Sequence, residues 1–309
     1  MAPFAPEYTK YLVSSGLHGL EFDNLVIDEG SMMSIPHLIL LGKMIKKRIV
    51  VCGDFKQLGP IVLSCSYNAQ KWLHPDLFTL LGKTDQEKIT HNAMKMLDCQ
   101  RRSAKKIADL INVPFYSGKL NTANQISHIL AKDIPPHPGG HISFVNLHNM
   151  KDNICYFSKS KSKYNKFSRL KILDIIAQIR KINNSLTIGI ITPYRQQVID
   201  YNKNIEEQEI IDKKLKIGTI HTFQGSECDI IIFDLVDAPD EKGNKKIGKL
   251  YSGLVGERLI NVAISRAKSK IIFVGDNRIF HEYQGVNSVS SSVVKIIDNA
   301  WNERLKLQK

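Results

Sequence analysis

Short runs rich in Val and Ile recur along the chain at residues 25–28, 49–53, 141–145, 187–191, 230–236 and 270–275. Near-continuous apolar runs of this length predict strands buried on both faces. Helical patterns lie between them. Residues 170–182 carry Leu170, Leu173, Ile176 and Ile179 at a period near 3.6, which predicts an amphipathic helix. Residues 193–205 and 256–267 are predicted helices as well. Ser103 is the predicted N-cap of a helix that carries Ile107, Leu110 and Ile111. Strands alternating with helices predict a doubly wound α/β fold. A polar, aperiodic stretch at 81–91 predicts a domain boundary, dividing the chain into 1–85 and 86–309. A second polar stretch at 159–166 is predicted to be an exposed loop leading into the next helix. No internal repeat is evident.

A length of 309 residues fits two domains. With 43% hydrophobic and 24% charged residues, a wholly disordered, collagen-like or disulfide-stapled chain is excluded. The net charge of +13 points to a polyanionic partner, nucleic acid or an anionic membrane surface, with solubility alone as the plain alternative. No apolar run approaches the ~18 residues that span a bilayer, and residues 1–7 do not read as a secretory leader, so the membrane option recedes. The five cysteines are odd in number and none are spaced C-x-x-C. That argues against a disulfide framework or zinc site and for a reducing compartment, cytosol or nucleus.

Two strand-end motifs carry candidate chemistry. Leu25-Val26-Ile27-Asp28-Glu29 ends a predicted strand in adjacent carboxylates. One can hold Mg²⁺ and the other can polarise a water, at the strand end where open α/β sheets bind ligands. Taken alone, it is also what an acidic turn looks like. Residues 49–53 lead into Gly53-Asp54-Phe55-Lys56-Gln57-Leu58-Gly59-Pro60. The amide of Gln57 can donate to a phosphate oxygen and accept from a water, or simply sit in a solvated turn.

In this order the motifs resemble those of the superfamily 1 helicases, in the branch of the nonsense-mediated-decay and Okazaki-fragment-type helicases. Asp28-Glu29-Gly30-Ser31 resembles the family's D-E-A-S-type Walker B motif, and residues 53–60 resemble G-D-x-x-Q-L-x-P. Gln100-Arg101-Arg102-Ser103, with Phe115-Tyr116-Ser117-Gly118-Lys119-Leu120 after it, resembles Q-Y-R-M and F-Y-x-G-x-L. Arg101 and Ser103 depart from the family's Tyr and Met. Ile191-Thr192-Pro193-Tyr194-Arg195-Gln196-Gln197 resembles I-T-P-Y-R-x-Q. Residues 218–227 contain Phe223-Gln224-Gly225-Ser226-Glu227, similar to F-Q-G-x-E, and Asn261-Val262-Ala263-Ile264-Ser265-Arg266-Ala267-Lys268 resembles N-V-A-L-T-R-A-K. The six motifs run from about Phe22 to about Asp276.

The resemblance implies two RecA-like α/β domains of the P-loop NTPase type, the first partial and the second complete, with ATP and Mg²⁺ in the cleft between them. It implies that Asp28 holds Mg²⁺, Glu29 activates water and Gln57 senses the γ-phosphate. Arg102 and Arg266 would reach the phosphates from the second domain, Arg266 as an arginine finger. Gly225 would allow close backbone approach and Glu227 would accept from the ribose hydroxyl. Thr192 and Tyr194, at a helix start after a strand, would meet a nucleic-acid phosphate. Thr219 and His221 would couple the nucleotide to the bound strand. The partner implied is single-stranded DNA or RNA. Read as residues alone, Arg266 is a helix-surface Arg paired with a carboxylate, Glu227 a turn carboxylate, Tyr194 a core residue and His221 an ordinary histidine.

The family's Walker A loop, G-x-x-x-x-G-K-[ST], is not found ahead of the Asp28 strand. Gly82-Lys83-Thr84 is a decoy, since Leu77 stands where the first Gly belongs. Gly82 reads instead as a helix C-cap. The chain thus resembles the C-terminal portion of a helicase, inactive without a Walker A segment from an N-terminal helicase segment or a partner chain. Its first ~80 residues are expected to expose apolar surface and a raw sheet edge. The rival reading is a nucleic-acid-binding or interaction module that does not turn over ATP. A small-molecule enzyme on a generic α/β fold leaves the six motifs unexplained.

Overall fold

A computed structural model describes residues 21–62, 64–80, 94–123, 133–209, 212–281 and 289–307. The chain divides into two units, Met1–Lys95 and Met96–Lys309. The boundary expected at 85/86 and the Gly82-Lys83-Thr84 decoy lie outside the described residues.

In the first unit, β1 (Phe22–Ile27) and β2 (Ile45–Val51) pair in parallel, with Leu25 opposite Ile49 and Val26 opposite Val50. A parallel pair needs a crossover, which α1 (Ile35–Gly42) supplies, with a proline in its first turn. Two short helices follow, α2 (Tyr67–Trp72), capped by the Ser66 hydroxyl on the Ala69 amide, and α3 (Leu77–Leu80). The expectation of strands buried on both faces fails here: Val26 is 68% exposed and Val50 41%. The same Val and Ile content that signals a buried strand stands largely uncovered in this pair.

The second unit opens with β3 (Cys99–Gln100) and β4 (Asn121–Thr122), a short parallel pair on either side of α4 (Lys105–Tyr116). Then come β5 (Ile142–Asn146), the antiparallel pair β6 (Tyr156–Phe157) and β7 (Lys163–Tyr164), α5 (Lys166–Ile182), β8 (Ile188–Thr192) and α6 (Arg195–Glu207). The chain continues through β9 (Leu215–Thr219), β10 (Cys228–Asp234), α7 (Gly253–Ser265), β11 (Ala267–Gly275) and α8 (Ser291–Lys306). Five strands form one all-parallel sheet in the order β5-β11-β10-β8-β9. Ile188, Ile190, Ile230, Ile232, Ile272 and Val274 pack against Ile172, Ile176 and Ile179 of α5. β-Branched side chains suit this role because both faces of a central parallel strand are covered.

Four local expectations are corrected. Ser103 does not cap α4, whose N-cap is Ala104; its hydroxyl donates instead to the Ala267 carbonyl at 2.6 Å. The polar stretch 159–166 is the tip and second strand of the β6–β7 hairpin, followed by the buried N-cap Asn165 of α5. The core face of α5 runs through Ile172, Ile175, Ile176 and Ile179, and leaves Leu170 half exposed. β9 was not among the apolar runs: as an edge strand it alternates Leu215 and Ile217 with exposed Lys216.

Candidate nucleotide and nucleic-acid sites

In the first unit the ends of the two strands are tied together. The Cys52 amide donates to the Ile27 carbonyl and the Gly30 amide to the Cys52 carbonyl, both at 2.7 Å. A Cβ at Gly53 would come within 2.9 Å of the Ser31 nitrogen, so only glycine lets the second motif pass this close to the first. Asp28 is exposed and its Oδ1 accepts from the Glu29 amide at 2.9 Å. Glu29 is held at φ 50°, ψ 40°, a left-handed conformation that non-glycine residues seldom adopt. Asp54 orients Gln57: its Oδ2 accepts from Gln57 Nε2 at 3.0 Å, while its Oδ1 accepts from the Lys56 amide. Asp54 had no role in the reading of the motif, although the D-x-x-Q spacing is what lets one turn join them.

In the second unit the candidates fall at two opposite ends of the five-stranded sheet. At the amino ends of β10 and β11, Arg102 Nε donates to Glu227 Oε2 at 2.7 Å, and Lys268 Nζ pairs with Glu227 Oε1 at 2.7 Å. These bonds from Lys268 and Arg102 hold the Glu227 carboxyl below its ordinary pKa. Arg102 also donates to the Ser265 carbonyl at 3.2 Å. Its segment is stitched to β11 by the Ala104 amide on the Lys268 carbonyl at 2.7 Å. Arg266 is 2% exposed and is therefore not the surface Arg of the plain reading. Its guanidinium donates to the Val262 carbonyl at 3.3 Å, the Ser265 hydroxyl at 3.0 Å and the Ser226 carbonyl at 3.5 Å. Gly225 turns the chain at φ +74°, and a Cβ there would meet nothing within 4 Å. The positive φ, not close packing, is what calls for glycine here. Lys268 belongs to this cluster and was missed, though it ends the motif that carries Arg266.

At the carboxyl ends of β8 and β9, Thr192 and Thr219 are register partners. Thr192 is fully buried, with its hydroxyl accepting from the Tyr194 amide at 3.4 Å. Tyr194 is a core residue, as in the plain reading, and its hydroxyl donates to Asp237 at 2.6 Å. The Gln196 amide, in the first turn of α6, donates to the Ser162 hydroxyl at 3.1 Å. Thr219 is half-buried and accepts at its carbonyl from the Thr222 hydroxyl. His221 stands exposed on the 3-10 turn Ile220–Phe223, with partial desolvation lowering its pKa.

Beside them lies a buried polar network that the sequence did not reveal. Asp234, the last residue of β10, accepts from Gln197 Nε2 at 2.6 Å, the Tyr201 hydroxyl at 2.9 Å and the Val236 amide at 3.2 Å. Burial pushes its carboxyl up to about 6 against those donors. Asp237 pairs with buried Lys163 and accepts from the Gly248 amide at 3.0 Å. Burial raises its pKa, and Lys163 opposes the rise. A raised folded-state pKa means that the folded protein holds the Asp234 proton between about pH 4 and pH 6 while the unfolded chain has released it. Stability from this group therefore falls as pH rises through that window, by up to about 3 kcal/mol. Asp234→Asn removes the titration. Its melting temperature relative to the parent should rise by several degrees from about pH 4.5 to about pH 7.5, and parallel curves would show that Asp234 does not titrate there.

Among the described residues, no helix is long and apolar enough to cross a membrane, and no group of three or more His, Cys, Asp or Glu side chains could hold a metal ion. All five cysteines are unpaired.

An all-parallel α/β sheet, with helicase motifs at its strand ends and an acidic strand end in a separate parallel pair, defines a RecA-like protein of the helicase class. The model of the AAA domain family matches residues 76–278, and the chain belongs to this family, among the superfamily 1 helicases of the nonsense-mediated-decay type. It is 29% identical to an uncharacterized ATP-dependent helicase of Methanocaldococcus jannaschii over 95% of this chain and 39% of that protein. It is 26% identical to the regulator of nonsense transcripts 1 homolog of Neurospora crassa, over 87% of this chain and 24% of that one. The chain thus spans well under half the length of these relatives. Among solved structures it is similar to arterivirus nonstructural protein 10, a helicase in complex with DNA. That match has a TM-score of 0.41 and 14% identity, over 89% of this chain and 43% of that one.

Proposed function

We propose that this chain is the C-terminal portion of an ATP-dependent helicase that couples hydrolysis to movement along single-stranded DNA or RNA, with residues 1–85 and 86–309 belonging to its first and second RecA-like domains. The observation that carries the reading is the pairing of Arg102 and Lys268 with one carboxylate, Glu227, at the amino ends of β10 and β11, with Arg266 bonded to the carbonyl of the adjacent Ser226. Such an excess of positive charge suits a nucleotide polyphosphate.

Exposed Asp28 at the end of β1 fits Mg²⁺, an ion usually bound by one or two protein carboxylates together with substrate phosphates. When bound, the ion neutralises charge on the phosphates. Glu29 orients the attacking water, and Asp54 aims the Gln57 amide at the terminal phosphate. Arg102 exchanges its bond to Glu227 for a phosphate oxygen. Glu227, released on that side, accepts from the ribose. Thr219 and His221 contact the strand, and buried Thr192 holds the start of α6 behind them. The phosphate cradle of a Walker A loop is supplied by an N-terminal helicase segment or a partner chain.

The test is fluorescence anisotropy with labelled oligo-dT and oligo-U. Binding should show little sequence preference, and log affinity should fall with log salt by ~0.7 per phosphate contact. Affinity unchanged between about 50 and about 200 mM salt would overturn the proposal.

A further inference from the structure

The β6–β7 hairpin combines three features that the helicase motifs leave unused. The first is aromatic surface. Tyr156 and Tyr164 are cross-strand partners whose rings stack with centroids 5.4 Å apart, and Lys166 Nζ lies 5.6 Å from the Tyr156 ring centre. Phe157 is 49% exposed, with Lys163 Nζ 5.6 Å from its ring centre. An exposed phenylalanine on a short polar hairpin loses free energy in water and gains it on stacking.

The second feature is charge. Residues 151–171 contain seven Lys and Arg against one acid, Asp152. Lys163 is consumed by Asp237 and Arg169 pairs with Asp200. Lys159, Lys161 and Lys166 stand exposed. The 240–246 loop is joined to the hairpin by the bond from Lys163 to the Lys246 carbonyl. It adds exposed Lys242, Lys245 and Lys246 together with Asp240 and Glu241. The local balance stays positive.

The third is rigidity. The tip is closed by the Ser158 amide on the Ser162 carbonyl and the Lys161 amide on the Ser158 carbonyl, both at 2.9 Å, with Lys161 at φ 61°. Its base is clamped by the Lys163–Asp237 pair, by Ser162 on the Gln196 amide, and by fully buried Asn165, which caps α5 through the Phe167 and Ser168 amides. A ring fixed in this way loses little further freedom on binding.

We infer that the β6–β7 hairpin is a contact surface for single-stranded nucleic acid, with Phe157 stacking on a base and Lys159 and Lys161 meeting the phosphates on either side. It rests on the strand-binding reading and extends it to a surface outside the helicase motifs. Aromatic faces interleaved with cations are the general solution for sequence-tolerant strand binding. An acidic protein surface would use the lysines and leave the ring idle.

The experiment uses the 309-residue chain and oligo-dT carrying 2-aminopurine, whose fluorescence is quenched by stacking. Phe157→Ala should weaken binding roughly tenfold, within the range for loss of one stacked base. It should also reduce the quench and leave the salt slope unchanged. Phe157→Tyr should bind like the parent. The double substitution Lys159→Ala and Lys161→Ala should lower the salt slope by roughly 1.4, two contacts' worth. On an abasic strand, Phe157→Ala should cost nothing. The parent's melting temperature should be retained throughout, since none of the three side chains is buried. If the parent binds no strand, the proposed function itself falls. If the parent binds and all variants bind equally, or if Phe157→Ala costs as much on the abasic strand, only the hairpin assignment falls. Competition by polyglutamate or anionic vesicles as effective as oligo-dT would also overturn it.

Discussion

Arg266→Ala is expected to lower ATP turnover by a factor on the order of 10³ when the chain is preceded by a Walker A segment, and to leave single-strand affinity nearly intact. The guanidinium is 2% exposed and held by Val262, Ser265 and Ser226. These bonds pre-position it. Charge that develops on a transferring phosphoryl group can draw on such a guanidinium without a large reorganisation. Arg266→Lys keeps the charge and loses the fork, so it should recover only part of the rate. Loss of the three bonds also costs stability, so each variant is assayed below its own melting transition. Equal losses in turnover and in strand affinity, tracking the melting temperature, would make Arg266 a structural residue.

Lys163→Met should destabilise the second unit by about 3–5 kcal/mol, the usual cost of leaving one member of a buried ion pair behind. At roughly 2–4 °C per kcal/mol for a unit of this size, the melting temperature falls by on the order of 10 °C. Asp237 would keep its bonds from Tyr194 and Gly248 but lose the Lys163 charge that opposes the effect of its burial. Its pKa then rises further. By the same linkage argument as for Asp234, the loss should be smaller in acid and grow as pH rises toward neutrality. The companion variant, Lys163→Met with Asp237→Leu, should recover much of the stability, since a buried pair replaced by apolar groups is often neutral. Single and double variants melting together at neutral pH would remove the pair from the account.

Much of the fold was legible locally. The runs at 187–191, 230–236 and 270–275 became β8, β10 and β11 because a central parallel strand is covered on both faces and leaves no polar position to interrupt it. The run at 25–28 carries the same signature and became a strand too, yet Val26 lies open. Composition reports what a strand is made of, not what covers it. Asp234 was hidden by the same habit of reading: a carboxylate at the end of an apolar run looks like the start of a solvated turn, and here it is fully buried under Gln197 and Tyr201.

The sequence by itself determined the alternation of strands and helices, the family, and the residue types that can handle phosphate. These depend on short-range pattern and on motif order, which a chain carries wherever it goes. Only the tertiary structure decided which candidates meet. Arg102 finds Glu227 across 125 residues of chain, while Thr192 and Thr219 lie at the opposite end of the same sheet. Tyr194 turned inward because Asp237 offers its hydroxyl a buried acceptor. The polar stretch at 159–166 became a clamped hairpin because Lys163 has a carboxylate to reach 74 residues away. Long-range pairing of this kind is settled by which burial of charge and apolar area is lowest in free energy, and no window of neighbouring residues contains that comparison.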